Sequence, residues 1–126
     1  NIAAVVRPGG ALLWIAECAG GIKEGFDHWA GIPDDATLNR AVRAHYNLAG
    51  HNTILLRELC RRVQVALWSD LPAAAVRRLG LVPIRSESDA VAWLAEACPS
   101  PRRWALAPCA NVISAEIDDA TEGKTS

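Results

Sequence analysis

The stretch Ala11-Leu-Leu-Trp-Ile-Ala-Glu-Cys-Ala-Gly-Gly21 decides the fold of this chain. Six mostly apolar residues run directly into Glu17 and Cys18, and a pair of glycines follows. A short continuous apolar run that ends at glycine is typical of a strand buried on both faces of a parallel sheet. Polar residues and glycine at the carboxyl end of such a strand lie where open α/β sheets bind ligands. The stretch therefore predicts a fold class and a candidate site together.

The length and composition of the chain indicate one globular domain. Its 126 residues are 51% hydrophobic and 21% charged, which supplies a packed core and argues against a disordered chain. The formal net charge of -1 gives no overall field that would attract nucleic acid or an anionic membrane surface. The sequence holds no apolar run near the roughly 20 residues that cross a membrane, and no signal-peptide pattern. We therefore expect neither nucleic acid nor membrane as a partner.

The four cysteines, at positions 18, 60, 98 and 109, are widely spaced. They form no Cys-x-x-Cys pair of the kind that structural zinc sites use, and they are too sparse for the disulfide framework of a small secreted domain. We therefore predict no metal site in this chain and a reducing, cytoplasmic environment.

Strands and helices alternate along the chain. Besides Ala11–Glu17, strands are predicted at Val63–Ser69, Leu81–Ile84 and Trp104–Cys109, and segments with helical spacing of apolar residues separate them. This alternation predicts a parallel sheet with right-handed crossovers. We expect an α/β fold, a three-layer Rossmann-like domain with a mainly parallel sheet of about four strands in the order 3-2-1-4.

Capping residues mark where the predicted helices begin and end. Pro33-Asp34-Asp35 is typical of a helix start, and Ser86-Glu-Ser-Asp89 opens a later helix in the same way. Gly50 is expected to end the first long helix in a left-handed conformation, and Asn52 to cap the next one. A shorter helix or turn is predicted over Lys23–Trp29.

The predicted domain spans residues 1–117, and the polar residues 118–126 are expected to form a disordered tail. Because the chain opens on Asn1 and contains no methionine, we expect it to be a piece of a longer protein.

Two groups of residues are candidates for a ligand site. The first group follows the first strand and consists of Glu17, Cys18, Gly20 and Gly21. The second group is His51 with Asn52, at a predicted helix start where free N–H groups and the helix dipole favour an anion. Each group also has a purely structural interpretation. The first would be a tight turn that contains a small buried cysteine, and the second would be a helix cap. Neither matches a dinucleotide fingerprint or a Walker loop, so these residues alone define no reaction.

The order of these features resembles one enzyme family. VVRPGGALLWIAECAGGIKEGFDHW (residues 5–29) is similar to a segment of the nickel-dependent lactate racemase family, in which Gly-Gly leads into a strand that ends Ala-Glu-Cys. AGHNT (49–53) is similar to that family's Gly-His-Lys-Ala stretch. Three segments between residues 67 and 110 resemble the closing strand, helix and strand of the family. They are LWSDLP, SDAVAWLAEA and RWALAPCA. The resemblance covers about residues 4–113.

The resemblance implies that the chain is the C-terminal domain of a two-domain racemase or epimerase of 2-hydroxy acids. In that family the N-terminal domain supplies the catalytic histidines and holds a nickel-pincer nucleotide, and the C-terminal domain closes the cleft. The resemblance therefore implies no catalytic residue, metal ligand or cofactor in this chain itself, with Glu17–Gly21, His51 and Asn52 facing the cleft. The implied partners are the N-terminal catalytic domain of the same protein and a small 2-hydroxy acid. Asn52 stands where the family has lysine, which removes a fixed positive charge, so lactate in particular is not assigned as the substrate.

The residues leave two other hypotheses open. The chain is alternatively a stand-alone Rossmann-like module that binds a small ligand or another protein and shares only the fold. A third hypothesis makes Cys18 and Cys109 a redox pair, since both end predicted strands. That pair requires Cα atoms less than about 7 Å apart.

Overall fold

Three parallel strands form the sheet at the centre of the described chain. In the computed structural model, which describes residues 5–22, 25–99 and 103–108, they are β1 (Ala11–Ile15), β2 (Gln64–Trp68) and β3 (Val82–Ile84). β1 and β3 both pair with β2, which is therefore central. The predicted α/β class is confirmed, and so is the order 3-2-1 for the first three predicted strands.

Five helices in the described ranges cover the two faces of this sheet. They are α1 (Phe26–Ala30), α2 (Asp35–Ala44), α3 (Leu48–Arg62), α4 (Ala73–Arg78) and α5 (Glu87–Ala97). The main core joins β2 to α3 and α4 through Val65 and Leu67, and the second core joins Ala66 of β2 to α5. Helices on both faces give the three layers that the sequence predicts. In the part of the chain that the structure describes, no helix has the length and apolar character to cross a membrane.

The prediction that the first strand is buried on both faces is wrong for the described structure. Residues 11–14 are only half-buried, and the side chain of Ile15 is 69% exposed. The physical reason is the position of β1 in the sheet. It pairs with β2 on one side, and no described strand pairs with it on the other.

The predicted fourth strand, Trp104–Cys109, is not formed within its described residues, 104–108. Residues 103–108 contain no strand, and Trp104 and Leu106 are exposed there, while Cys109 lies outside the described residues. A strand needs a hydrogen-bonded neighbour, and an apolar, β-forming composition alone does not supply one. The described sheet therefore has three strands and not the four that we expected. Residues 109–117 and the predicted tail 118–126 also lie outside the described residues.

The predicted break at Gly50 is wrong, as is the predicted cap at Asn52. Both residues lie inside α3, which begins at Leu48. The side chain of Asn47 caps this helix by accepting hydrogen bonds from the N–H groups of Ala49 at 2.9 Å and Gly50 at 3.2 Å. Asn47 and Asn52 have the same capping chemistry. Asn47 is the cap because Gly50 packs closely against Val42 and Trp29 as a helical residue, so the helix continues through position 50.

The other two predicted caps are confirmed. Asp34 accepts a hydrogen bond from the Thr37 N–H at 2.8 Å and caps α2, and Ser86 accepts from the Asp89 N–H at 3.1 Å and caps α5. The predicted helix or turn over Lys23–Trp29 overlaps α1, although residues 23 and 24 lie outside the described residues.

The cap at Asp34 predicts a pH dependence of stability. The hydroxyl and N–H of Thr37 donate to the Asp34 carboxylate at 2.7 Å and 2.8 Å and lower its pKa below the ordinary 3.8. A carboxyl whose pKa is lower in the folded state stabilises the fold above its unfolded pKa, and this contribution is lost as the pH falls through the folded pKa. We therefore expect the stability difference between the wild type and Asp34→Ala to be constant near neutral pH and to shrink below about pH 4.

Urea unfolding of both proteins between pH 2.5 and 7 measures this difference. Ser86→Ala is the matched control, because Ser86 has the same capping role in α5 with a side chain that does not titrate. Its stability loss is expected to stay level across the same range. A loss for Asp34→Ala that is equally level would contradict the prediction.

Candidate functional site

The turn after β1 is closed by one hydrogen bond and contains two left-handed residues. The Gly21 N–H donates to the Cys18 carbonyl at 2.9 Å, which closes a four-residue turn. Cys18 has a φ of 54° and Gly21 a φ of 69°. A non-glycine residue in this region is uncommon and is held there by its surroundings. The half-buried Cys18 side chain packs against the main core, whereas Glu17 and Gly20 are exposed.

Backbone hydrogen bonds join this turn to the loop that follows β2. The Ala16 N–H donates to the Trp68 carbonyl at 3.0 Å, and the Asp70 N–H donates to the Glu17 carbonyl at 3.1 Å. The side chains of Glu17 and Asp70 are both exposed at this edge of the sheet. Two carboxylates at the rim can accept hydrogen bonds from ligand hydroxyl groups.

One cationic side chain stands at the same edge after β3. The guanidinium of Arg85 donates to the Leu71 carbonyl, and the Arg85 N–H donates to the Asp89 carboxylate at 3.2 Å. These contacts hold the loops after β2 and β3 together. Arg85 thus adds a positive group to the edge that carries the carboxylates of Glu17 and Asp70.

The second candidate group lies in the first turns of α3. The His51 N–H donates to the Asn47 carbonyl at 2.9 Å, and the His51 ring lies 6.0 Å from that of Tyr46, between centroids. His51 is half-buried and Asn52 is exposed. The amide hydrogens of the first turn are largely used by Asn47, so the anion site expected at this helix start is already occupied by the cap.

The topology brings the two candidate groups to one end of the domain. In a β-α-β unit the helix runs antiparallel to the strands, so the start of α3 lies at the edge where β1 and β2 end. Glu17–Gly21 and His51 therefore share that end, as a common cleft requires. Within the described residues, however, no hydrogen bond or ion pair links the two groups.

Asn52 faces an apolar groove that the sequence does not reveal. The groove has a volume of about 600 Å³, which is in the range of small-ligand sites. Its lining consists of Trp14, Phe26, Asn52, Leu55, Leu56, Glu58, Leu59 and Arg62. The turn residues Glu17–Gly21 are not part of that lining, so the structure separates Asn52 from the first candidate group.

A cluster of charged side chains, also not anticipated, joins α3, which carries the second group, to α2. Arg57 of α3 pairs with Asp35 at 3.1 Å, and Arg61 pairs with the other oxygen of the same carboxylate. Arg57 also donates to the Ala30 and Ile32 carbonyls. The signal in the sequence is the helical spacing of Arg57 and Arg61, but their shared partner Asp35, which precedes Arg57 by 22 residues, is a tertiary feature.

Of the described cysteines 18, 60 and 98, Cys18 follows a strand at this edge, and the other two lie near the ends of α3 and α5. Cys60 packs against the main core, and burial raises the pKa of its thiol, which makes it less reactive. Cys109, the proposed redox partner of Cys18, lies outside the described residues. In the ranges 5–22, 25–99 and 103–108, no three His, Cys, Asp or Glu side chains come together as a metal site would need.

Comparison of the chain with models of known families, with curated proteins and with solved structures finds no match.

Proposed function

We propose that this chain is the C-terminal, cleft-closing domain of a nickel-pincer-dependent racemase or epimerase of 2-hydroxy acids, and that it is inactive by itself. The observation that carries the proposal is the shared end of the domain. Residues 5–29, the longest part of the resemblance, contain β1 and its turn, and residues 49–53 lie in the first turns of α3. Motifs that are far apart in the sequence thus lie at the one edge where an α/β sheet binds ligands.

In this proposal the residues of the chain bind and enclose the substrate. Among the described residues, no atom outside the adjoining backbone lies within 4 Å of the position where a Gly20 Cβ would lie, so this backbone is open to a ligand or an opposing domain. The ring of His51, which lies at the same end of the domain as the turn, can donate and accept hydrogen bonds with a hydroxy acid. Closing this surface over the substrate excludes water from the cleft.

The nickel-pincer nucleotide, when bound, would accept a hydride from the substrate and return it to either face. Within the described ranges no three His, Cys, Asp or Glu side chains converge as a metal-ligand set, and the resemblance places no cofactor-binding residue in this chain. We therefore assign the cofactor and the catalytic histidines to an N-terminal domain, as the resemblance implies, and derive no step at the nickel from this chain.

The test compares the 126-residue chain with its parent reading frame. The purified chain is expected to fold, to retain no nickel in elemental analysis and to leave the chirality of lactate and related 2-hydroxy acids unchanged. The parent is expected to encode a histidine-rich N-terminal half and to racemise such an acid. Tight nickel binding by the chain alone, or a parent without that half, would contradict the proposal.

A pair of histidine variants of the parent tests the role of α3. His51→Ala is expected to lower kcat/KM at least about tenfold with an unchanged nickel content, because a substrate-positioning contact is lost. His45→Ala is the matched control, since His45 is exposed at the end of α2. Equal effects of the two substitutions would remove His51 from the cleft.

A further inference from the structure

One short apolar segment of the described chain is left largely in water. Residues 103–108 form neither a helix nor a strand, and the side chains of Trp104 and Leu106 are 59% and 91% exposed. Side chains of this size gain most from removal from water. Because they are two residues apart, an extended segment points both of them to one face and the small side chains of Ala105 and Ala107 to the other.

β1 offers an edge with which such a segment can pair. The Gln64 N–H donates to the Gly10 carbonyl at 2.9 Å, so the even-numbered residues of this part of the chain direct their backbone groups toward β2. These directions alternate along a strand. The odd-numbered residues of β1 therefore direct theirs to the other side, where no described strand pairs with them. Unpaired groups along a strand edge are a template for another extended segment.

The helix that precedes the segment carries the chain to this edge. α5 follows β3 at one side of the sheet and packs on β1 at the other, where Ala90 and Trp93 share a core with Leu13. It lies on the face opposite α3 and α4, as a right-handed connection needs when it leads back across the sheet to a parallel strand. Six residues lead from Cys98 to Trp104. Extended, they reach roughly 20 Å, more than the roughly 10 Å between packed layers.

We propose that residues 103–108 are a strap that closes onto β1 as a fourth parallel strand, and that the described arrangement is its open state. The pairing sets Ala105 level with Leu13. The Leu13 N–H then donates to the Trp104 carbonyl, and the Leu106 N–H donates to the Leu13 carbonyl. Closure is favoured by these bonds and by burial of the two large side chains, and it is opposed by the conformational entropy of the segment.

This register places the large side chains of the strap where the domain has room for them. Residues that are level in a parallel pair share a face, so Leu106 lies beside Trp14, which lines the groove of about 600 Å³. Ala107 lies beside the exposed Ile15 and covers it. A shift by one residue would turn Trp104 and Leu106 toward α5 and the alanines toward the groove. The alternation of large and small side chains therefore favours the proposed pairing.

Closure gives the turn Glu17–Gly21 a second wall. β1 becomes an internal strand, and the direction in which strands are added reverses between β1 and the strap. Ligands of open α/β sheets bind at the carboxyl ends of the strands at such a reversal. Pro108, which has no N–H to continue the ladder, ends the strap at that crevice. A ligand that contacts both walls then favours the closed state. The pairing does not depend on the reaction proposed above.

Amide hydrogen exchange of the full 126-residue chain, read by NMR, tests the strap. The Leu13 N–H is expected to exchange at least about tenfold more slowly in the wild type than in Leu106→Asp, because a carboxylate is not accommodated in the apolar groove and the strap stays open. Leu106 is exposed in the open state, so the Ala66 N–H of the central strand is expected to keep its rate in this variant. Val91→Asp is the matched control, since Val91 is 63% exposed on α5, and it is expected to leave the Leu13 rate unchanged.

Nuclear Overhauser contacts between the Trp104 ring and the Leu12 methyl groups are expected in the wild type, because the two residues are level in the proposed pairing. Equal exchange of the Leu13 N–H in the wild type and Leu106→Asp overturns the proposal. Equally fast rates would mean that the edge stays open, and equally slow rates that another segment covers it. Protection that is lost on dilution, or that Val91→Asp removes to the same extent, also overturns it. None of these outcomes bears on the nickel and racemisation measurements that test the proposed function.

Discussion

Replacing Gly50 with valine is expected to lower the free energy of unfolding by about 3 kcal/mol, a large share of the stability of a small domain. Gly50 is buried in α3, where a Cβ would lie 2.8 Å from the Val42 Cγ2 and 3.0 Å from the indole ring of Trp29. These neighbours belong to α2 and α1, so they can yield only by separating the three helices. Urea unfolding followed by circular dichroism measures the loss.

Two further substitutions separate crowding from backbone effects. Gly20→Val is the matched control, because Gly20 is exposed and no neighbour in the described ranges lies within 4 Å of a Cβ there. Its effect is expected to stay within about 0.5 kcal/mol. Gly50→Ala would gain about 1 kcal/mol from helix propensity if space were available. A stabilised Gly50→Ala would therefore contradict the close contact with Trp29.

Gly50 also shows why local sequence patterns misplace a helix boundary. A glycine between two apolar helical segments is typical of a left-handed helix end, and His51-Asn52 after it is typical of a new start. The structure uses the glycine instead for close approach of Trp29, a residue 21 positions earlier in the chain. No local pattern records that contact, so the sequence predicts the existence of both helices but not the point where one ends.

The strands show the same limit at the level of pairing. The apolar run of β1 and the Val-rich run of β2 predict strands that are found, with the polar turn at the carboxyl end of β1 as expected. The similar run after Trp104 forms no strand within residues 103–108. Apolar composition indicates which segments can be strands, but a neighbouring edge decides which of them are.

For the candidate site, the sequence locates the edge but not its local geometry. Glu17–Gly21 and His51 lie at one end of the domain because the order of strands and helices requires it. The glycines predict a tight turn, which is found, but the left-handed conformation of Cys18 within it is not predicted. That conformation depends on core packing around the Cys18 side chain, which the sequence does not show. The groove beside Asn52 likewise depends on how α1 and α3 meet over Trp14.

Replacing Arg57 with methionine is expected to lower the free energy of unfolding by roughly 3 kcal/mol, because one side chain joins three helices. The Arg57 guanidinium donates to the Asp35 carboxylate at 3.1 Å, to the Ala30 carbonyl at 3.3 Å and to the Ile32 carbonyl. The side chain is only 22% exposed, so water replaces these donors poorly. Methionine keeps the aliphatic packing and removes all of the donors at once.

Arg77→Met is the matched control, since Arg77 is exposed in the last turn of α4, and its effect is expected to stay within about 0.5 kcal/mol. Amide hydrogen exchange then locates the damage. α1 has only five residues and is too short to be stable without tertiary contacts, so its N–H groups should lose protection first in Arg57→Met. The N–H groups of α5 should keep the protection that global unfolding alone sets, because α5 packs on the opposite face of the sheet. Uniform loss of protection in both helices would mean that Arg57 stabilises the whole fold and not the attachment of α1.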